Sequence, residues 1–236
     1  MMMRALLPLL FLATPGFAGT FMAPEGCTAT LTVQSRGCTV SHFYTCEADP
    51  KGNQWRADFG LNGQYYQSMI DSETQWIESY EMEGAGNPVS KETLDPNPKD
   101  PASLTGLVET GIDTFDFNLT KESGERTHIT GFDELTGKTA VIDGFTLRQT
   151  EYEYTQTDEA GTVIRHSKGR EYISEEIRSF FSGTSEWQAE DGTWVTIEGA
   201  PISFMKPGEP GFGSTTPLFE CDDQMSSLSL PEGPRT

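Results

Sequence analysis

From Cys27 onward, apolar residues recur at every second position in short runs, and the runs stop at turn-forming residues. Successive side chains of an extended chain point to opposite sides, so this pattern predicts strands with one buried face. Residues 27–34 set Cys27, Ala29, Leu31 and Val33 on one face and threonines on the other. Residues 54–61 alternate Trp55, Ala57, Phe59 and Leu61, then turn at Asn62-Gly63, a strong hairpin dipeptide, and return over 65–70. Residues 74–82 place Trp76, Tyr80 and Met82 together. Further runs cover 114–120, 126–132, 138–142, 145–157 and 162–173, and a last hairpin joins 180–188 to 193–205. In 145–157, Phe145 and Leu147 occupy one face and Tyr152 and Tyr154 the other, which calls for a bulge or a strand shared between two surroundings.

Two stretches break the alternation. Residues 84–101 hold Gly84, Gly86, Pro88, Pro96, Pro98 and Pro101 and read as one long loop. Asp100-Pro101 then suits a helix start, with Leu104, Leu107 and Val108 on one face and Gly111 to end it. Many short strands joined by hairpin turns, with one short helix, predict an all-β chain: an antiparallel half-barrel, barrel or sandwich. The reading gives a single β domain over 19–225 and a flexible tail over 226–236.

Four cysteines lie in this domain: Cys27, Cys38, Cys46 and Cys221. Ser35-Arg36-Gly37-Cys38 is a tight-turn signal, and the return run carries Val40, His42, Tyr44 and Cys46 at period two. With Arg36-Gly37 as a two-residue loop, Val33 meets Val40, Leu31 meets His42, Ala29 meets Tyr44, and Cys27 meets Cys46. Opposed Cβ atoms lie about 4.5–5.5 Å apart, close to disulfide reach. Cys38 and Cys46, eight residues apart on one strand, would stand about 26 Å apart at ~3.3 Å per residue. The expected bridges are therefore Cys27–Cys46 and Cys38–Cys221, the second pinning the C-terminal segment beside the first hairpin. The first pair falls at a widely spaced, hydrogen-bonded position, which a bulge would relieve.

The first residues carry Arg4, an apolar run over 5–12, and Pro15-Gly16-Phe17-Ala18. A basic start, a short apolar stretch and small residues before a cut predict a signal peptide over 1–18, cleaved after Ala18. The run is too short to span a bilayer, which needs about 20 residues. No Cys follows it at lipoprotein spacing. The mature chain would be soluble, in the periplasm or secreted, without stable membrane insertion. An even cysteine count suits that compartment.

Loss of Arg4 leaves 15 of 16 Lys and Arg against 36 Asp and Glu, a net charge of −21. Such a surface repels phosphate backbones, which excludes nucleic acid as a partner, and it disfavours anionic lipid surfaces. It suits a cationic partner, though charges spread evenly along a chain more often serve solubility.

Nucleophile elbows, zinc-protease helices, phosphate loops and dinucleotide fingerprints are all missing from the sequence, and no motif calls for a cofactor or metal. Asp113, Asp116 and Asn118 lack the glycine and terminal Glu of a calcium loop. The three histidines, His42, His128 and His166, have no partner fixed by spacing, and an inward His42 reads as a core residue. Paired carboxylates could hydrolyse glycosides, but 36 acids offer no selection. The aromatics are more pointed: Trp55, Phe59, Tyr65, Trp76 and Tyr80 cluster in early strands and could line a ligand cavity.

Residues 169–181, Gly-Arg-Glu-Tyr-Ile-Ser-Glu-Glu-Ile-Arg-Ser-Phe-Phe, carry a strand ending in Tyr172, Ile173 and Ser174, a short turn with Ile177, and a returning strand. This resembles an element of periplasmic half-barrel proteins similar to the LolA/LolB lipoprotein carriers. The chain departs from them in lacking an amphipathic helix near the mature start and in carrying two disulfides. The resemblance implies a half-barrel that shelters an apolar group and assigns no site residue. The expected function is non-catalytic binding or carriage of an apolar or amphipathic small molecule, or of an envelope protein, with oligomeric state left open. The alternatives are an exported hydrolase with paired carboxylates, or an envelope interaction module acting through the 84–101 loop.

Overall fold

The computed structural model describes residues 19–83 and 87–222. The leader and cleavage site expected over 1–18 and the tail expected over 226–236 lie outside these residues. One antiparallel sheet of thirteen strands forms the molecule. It begins with β1 (Cys27–Ser35), β2 (Thr39–Cys46), β3 (Gln54–Gly60), β4 (Gly63–Ile70), β5 (Trp76–Glu83) and β6 (Asn87–Leu94). After the helix α1 (Leu104–Thr110) come β7 (Ile112–Lys121), β8 (Arg126–Ile142), β9 (Phe145–Thr157), β10 (Val163–Ser174) and β11 (Ser179–Gln188). The short strands β12 (Trp194–Glu198) and β13 (Pro201–Met205) complete it. Strands β1 to β12 pair in sequence order, and β13 pairs with β1 at the far end.

The expected single strand over 193–205 is thus two strands on opposite ends of the sheet. Gly199-Ala200 interrupts it: the Gly199 amide donates to the Gly183 carbonyl at 2.9 Å and the Ala200 carbonyl accepts from the Arg36 amide at 2.9 Å. This link draws the two ends together at one point without a continuous ladder, so the sheet curls but does not close.

Both expected bridges are present, Cys27–Cys46 and Cys38–Cys221. The register between them differs from expectation. The turn has three residues, with Gly37 at φ 68° and Cys38 at φ 57°, so Val33 faces Ser41 and Leu31 faces Phe43. A one-residue slip moves every side chain to the other face, and His42 accordingly faces Thr32 rather than Leu31. A bulge between Ala29 and Leu31 absorbs the slip, so that Ala29 still meets Tyr44 and Cys27 meets Cys46.

Other boundaries moved as well. Residues 87–94, expected as loop, form β6, which pairs with β5 along its length and with β7 only at Glu92, Thr93 and Leu94. Pro88 sits outside the β7 pairing, beside a register shift, where its missing N–H is tolerated. The runs at 126–132 and 138–142 are one strand, β8, with a bulge between Leu135 and Thr139. The helix cap is Ser103 instead of Asp100, its hydroxyl accepting from the Gly106 amide at 3.0 Å, and Gly111 ends the helix as expected.

Three apolar clusters fill the curl. Leu31, Val33, Phe43, Phe145, Leu147, Phe181 and Phe204 tie the first hairpin to β9, β11 and β13. Leu104 and Leu107 of α1 pack on Ile173. Phe117, Leu119 and Ile129 form the third. Strand β9 is shared as expected: Phe145 is in the first cluster, while Tyr154, on the opposite face, packs against the third.

Candidate functional site

The inward faces of β3, β4, β5, β7, β8, β10 and β11 line a partly open cavity of about 200 Å³, with Asp133 and Glu171 half-buried in its wall. A neighbouring chamber of about 170 Å³ runs beside β9 and β12, and the two share Phe115, Asp133 and Glu171. Alternation puts these acids there. Asp133 faces Tyr152 on β9, and Tyr152 faces Gly169 on β10. Glu171 lies two residues beyond Gly169 and so shares its face. Two strand spacings of ~4.8 Å with a two-residue offset put the Cα atoms roughly 12 Å apart on a flat sheet. The curl brings the inward carboxyls closer.

Glycine makes the room. A Cβ on Gly131 would stand 2.5 Å from the Glu153 carbonyl and 2.7 Å from the Phe115 ring, so Phe115 lies across this position on the cavity wall. Trp76 packs edge-on to Phe117 at 5.9 Å and to Tyr154 at 6.4 Å, and Tyr152 stacks with Tyr154 at 6.2 Å. Aromatic rings therefore line one part of the wall, and Ser68, Thr74, Ser179 and Ser182 join Arg56 and the two acids on the rest.

At its charged end, Arg56 is committed to Asp58, with Nε 3.1 Å from Oδ2. The contact is an ion pair and not a hydrogen bond, since that buried Nε has no hydrogen-bond partner. Asp58 also accepts from the Ser41 hydroxyl at 2.6 Å. Glu171 and Asp133 have no hydrogen-bond partner among the described residues. Burial pushes the Glu171 carboxyl up to about 7, against the opposing pull of Arg56. Burial also raises Asp133 well above the usual carboxylate range, and the charges of Glu171 and Asp113 add to it. Taking a carboxylate out of water disfavours its ionised form, and a like charge nearby does the same.

Of the aromatics expected to line a cavity, Trp76 does so. Trp55, Phe59 and Tyr80 lie on the opposite sheet face. There Trp55 stacks on Tyr44 at 6.0 Å and lies 6.3 Å from Tyr80, and Phe59 meets Phe21 and His42. Tyr65 is exposed, its hydroxyl 3.3 Å from that of Thr39. Sequence reasoning missed Arg56, Asp133 and Glu171. For Glu171 a signal existed: Ser167, Gly169, Glu171 and Ile173 alternate, which places the acid on the face of a core isoleucine.

The histidines stand apart from the cavity. His42 is buried, stacked on Phe21 at 4.4 Å with Nδ1 3.0 Å from the Thr32 hydroxyl, and burial lowers it to about 4. His128 pairs with Asp116 at 2.8 Å and His166 with Glu153 at 2.7 Å. No cluster of three metal-ligating side chains occurs among the described residues, and no helix among them is long and apolar enough to cross a membrane. A wider groove, about 630 Å³, lies between the 49–54 turn and residues 176–178, but it is open. Of its cations, Arg178 and Lys206 are paired with Glu73 and Glu176, and Lys51 is exposed.

Fold and cavity together define an open, curled all-β sheet, disulfide-stapled and holding an acid pair inside. The two bridges point to an oxidising, exported compartment. Comparison with protein families, with curated proteins and with solved structures finds no match to this chain.

Proposed function

We propose that this protein is a periplasmic or secreted binding protein that holds a small amphipathic molecule inside its sheet without chemically altering it. The observation that carries this reading is the cavity itself: aromatic walls at Phe115, Phe117 and Trp76, with unpartnered carboxyls at one end. In a concave ligand site, convergent polar groups beside apolar surface fix the ligand's orientation. The leader over 1–18 and the resemblance of residues 169–181 to half-barrel carriers support the same reading. The test is native mass spectrometry of the full chain purified from its own host, with solvent extraction of any adduct. A small-molecule adduct lost in Phe115→Arg, which fills the chamber, is the expected result. An adduct-free protein whose melting temperature is unmoved by a panel of amphipathic molecules would refute it.

A second reading has one observation in its favour. Asp133 and Glu171 share a cavity, as the two carboxyls of a glycosidase do at separations of about 5–9.5 Å. It requires turnover of chromogenic glycosides that disappears in Glu171→Gln. With burial raising both acids, the pair holds its protons up to about neutral pH, where only part of Glu171 is ionised and able to serve as nucleophile or base. Binding is therefore the better-supported reading.

A further inference from the structure

Two like-charged acids that face one cavity without partners leave something to be neutralised. Arg56 cannot do so fully, because Asp58 already holds it, and Arg165, which also lines the neighbouring chamber, is exposed to solvent. In the empty cavity the acids hold their protons toward neutral pH; a bound cation would favour the ionised form of both. An anion would be repelled, and a neutral ligand would leave the carboxyls without a counter-charge.

The walls select the kind of cation. They carry aromatic rings, Tyr152 and Tyr154 stacked together with Phe115 and Trp76 nearby, among serine hydroxyls. Such faces attract ammonium and guanidinium groups through the ring quadrupole and cover an apolar body at the same time. Among the described residues no group of three or more His, Cys, Asp or Glu is gathered there to hold a metal ion. The strongly acidic surface, at a formal −20 over the whole chain, also concentrates cations around the molecule.

Resting on the binding reading above, we infer that the ligand class is a small organic cation, its ammonium or guanidinium head on Asp133 and Glu171 and its apolar body against the aromatic wall. The probes are 2-phenylethylamine, 2-phenylethanol and phenylacetate, similar in shape and differing in charge. They are titrated calorimetrically into the full, disulfide-intact chain at pH 8, where the amine is still protonated. One charge-assisted hydrogen bond separates amine from alcohol, which predicts a preference of roughly tenfold or more for the amine, and no binding of the acid. Glu171→Gln, nearly isosteric, should reduce that preference to within about twofold, with an unchanged circular dichroism spectrum showing that the variant is folded. If amine and alcohol bind equally, or if Glu171→Gln keeps the preference, the cation assignment falls while the binding reading stands. If none of the three binds at millimolar concentration, both fall.

Discussion

Replacing Glu171 by Gln should make the protein more stable, and only above a particular pH. Burial raises the Glu171 carboxyl from an unfolded value near 4.5 to about 7 in the folded chain. Between those values the folded protein keeps a proton that the unfolded chain has released. Stability is therefore full below pH 4.5 and lost as pH rises to 7. Raising the carboxyl from 4.5 to about 7 at ~1.4 kcal/mol per pH unit gives ~3.5 kcal/mol, and water in the half-open cavity reduces it to about 2–3. Gln has the same shape and no charge, so the variant escapes this loss. The assay is urea unfolding followed by tryptophan fluorescence, run on both proteins at pH 4, 6 and 8. His42 titrates in the same range with the opposite sign. Its folded value, near 4, lies below the unfolded 6.5, so its contribution is present above pH 6.5 and lost as pH falls toward 4. That term is common to both proteins and drops out of their difference. The difference should be near zero at pH 4 and about 2–3 kcal/mol in favour of the variant at pH 8. A difference that stays flat with pH, or a variant less stable at pH 8, would refute the buried acid pair.

Two further outcomes follow from the packing. Replacing Cys38 and Cys221 by Ala opens a bridge spanning 183 residues, against 19 for Cys27–Cys46; loop-closure entropy gives upper values of about 5 and 3 kcal/mol, so the long bridge should cost more in urea midpoint. Gly131→Ala would set a methyl group 2.5 Å from the Glu153 carbonyl and 2.7 Å from the Phe115 ring; overpacking of that kind costs about 1–3 kcal/mol, and a melting temperature equal to wild type would contradict the close approach.

The first hairpin shows how a sequence reading can be right about contacts and wrong about faces. Arg36-Gly37 was the natural two-residue loop, and it paired Cys27 with Cys46. The real turn takes in Cys38 as well, in a left-handed conformation that a β-carbon normally disfavours. The Cys38–Cys221 bond and the Cys38 amide, which donates to the Phe219 carbonyl at 2.9 Å, hold it there. That tether comes from the far end of the chain, so no local pattern announces it. The extra turn residue and the bulge at Thr30 offset each other, so the disulfide pairing is unchanged while Val40 and His42 exchange faces. Strand β6 escaped notice for a related reason. Its Pro and flanking glycines are local breakers, and pairing with β5 and β7 overrides them.

Alternation identifies the two faces of a strand but not which of them a curled sheet will enclose. In β9, Phe145 and Leu147 are interior on one face, and Tyr152 and Tyr154 are interior on the other, within one unbroken strand. Which face is inside at each point depends on where the ends of the sheet meet, and that is fixed by Gly199-Ala200 reaching from β12 to the turn after β1. Glu171 illustrates the consequence. Its face was readable from Ser167, Gly169 and Ile173, yet a carboxylate on such a face reads equally well as solvated. The pocket forms only once β10 and β11 curl back toward β3, β4 and β5, and the same curl that half-buries the acid raises it to about 7. The candidate site is thus a product of long-range pairing. A change at the seam, far from Glu171 in sequence, should act on its titration as surely as a change beside it.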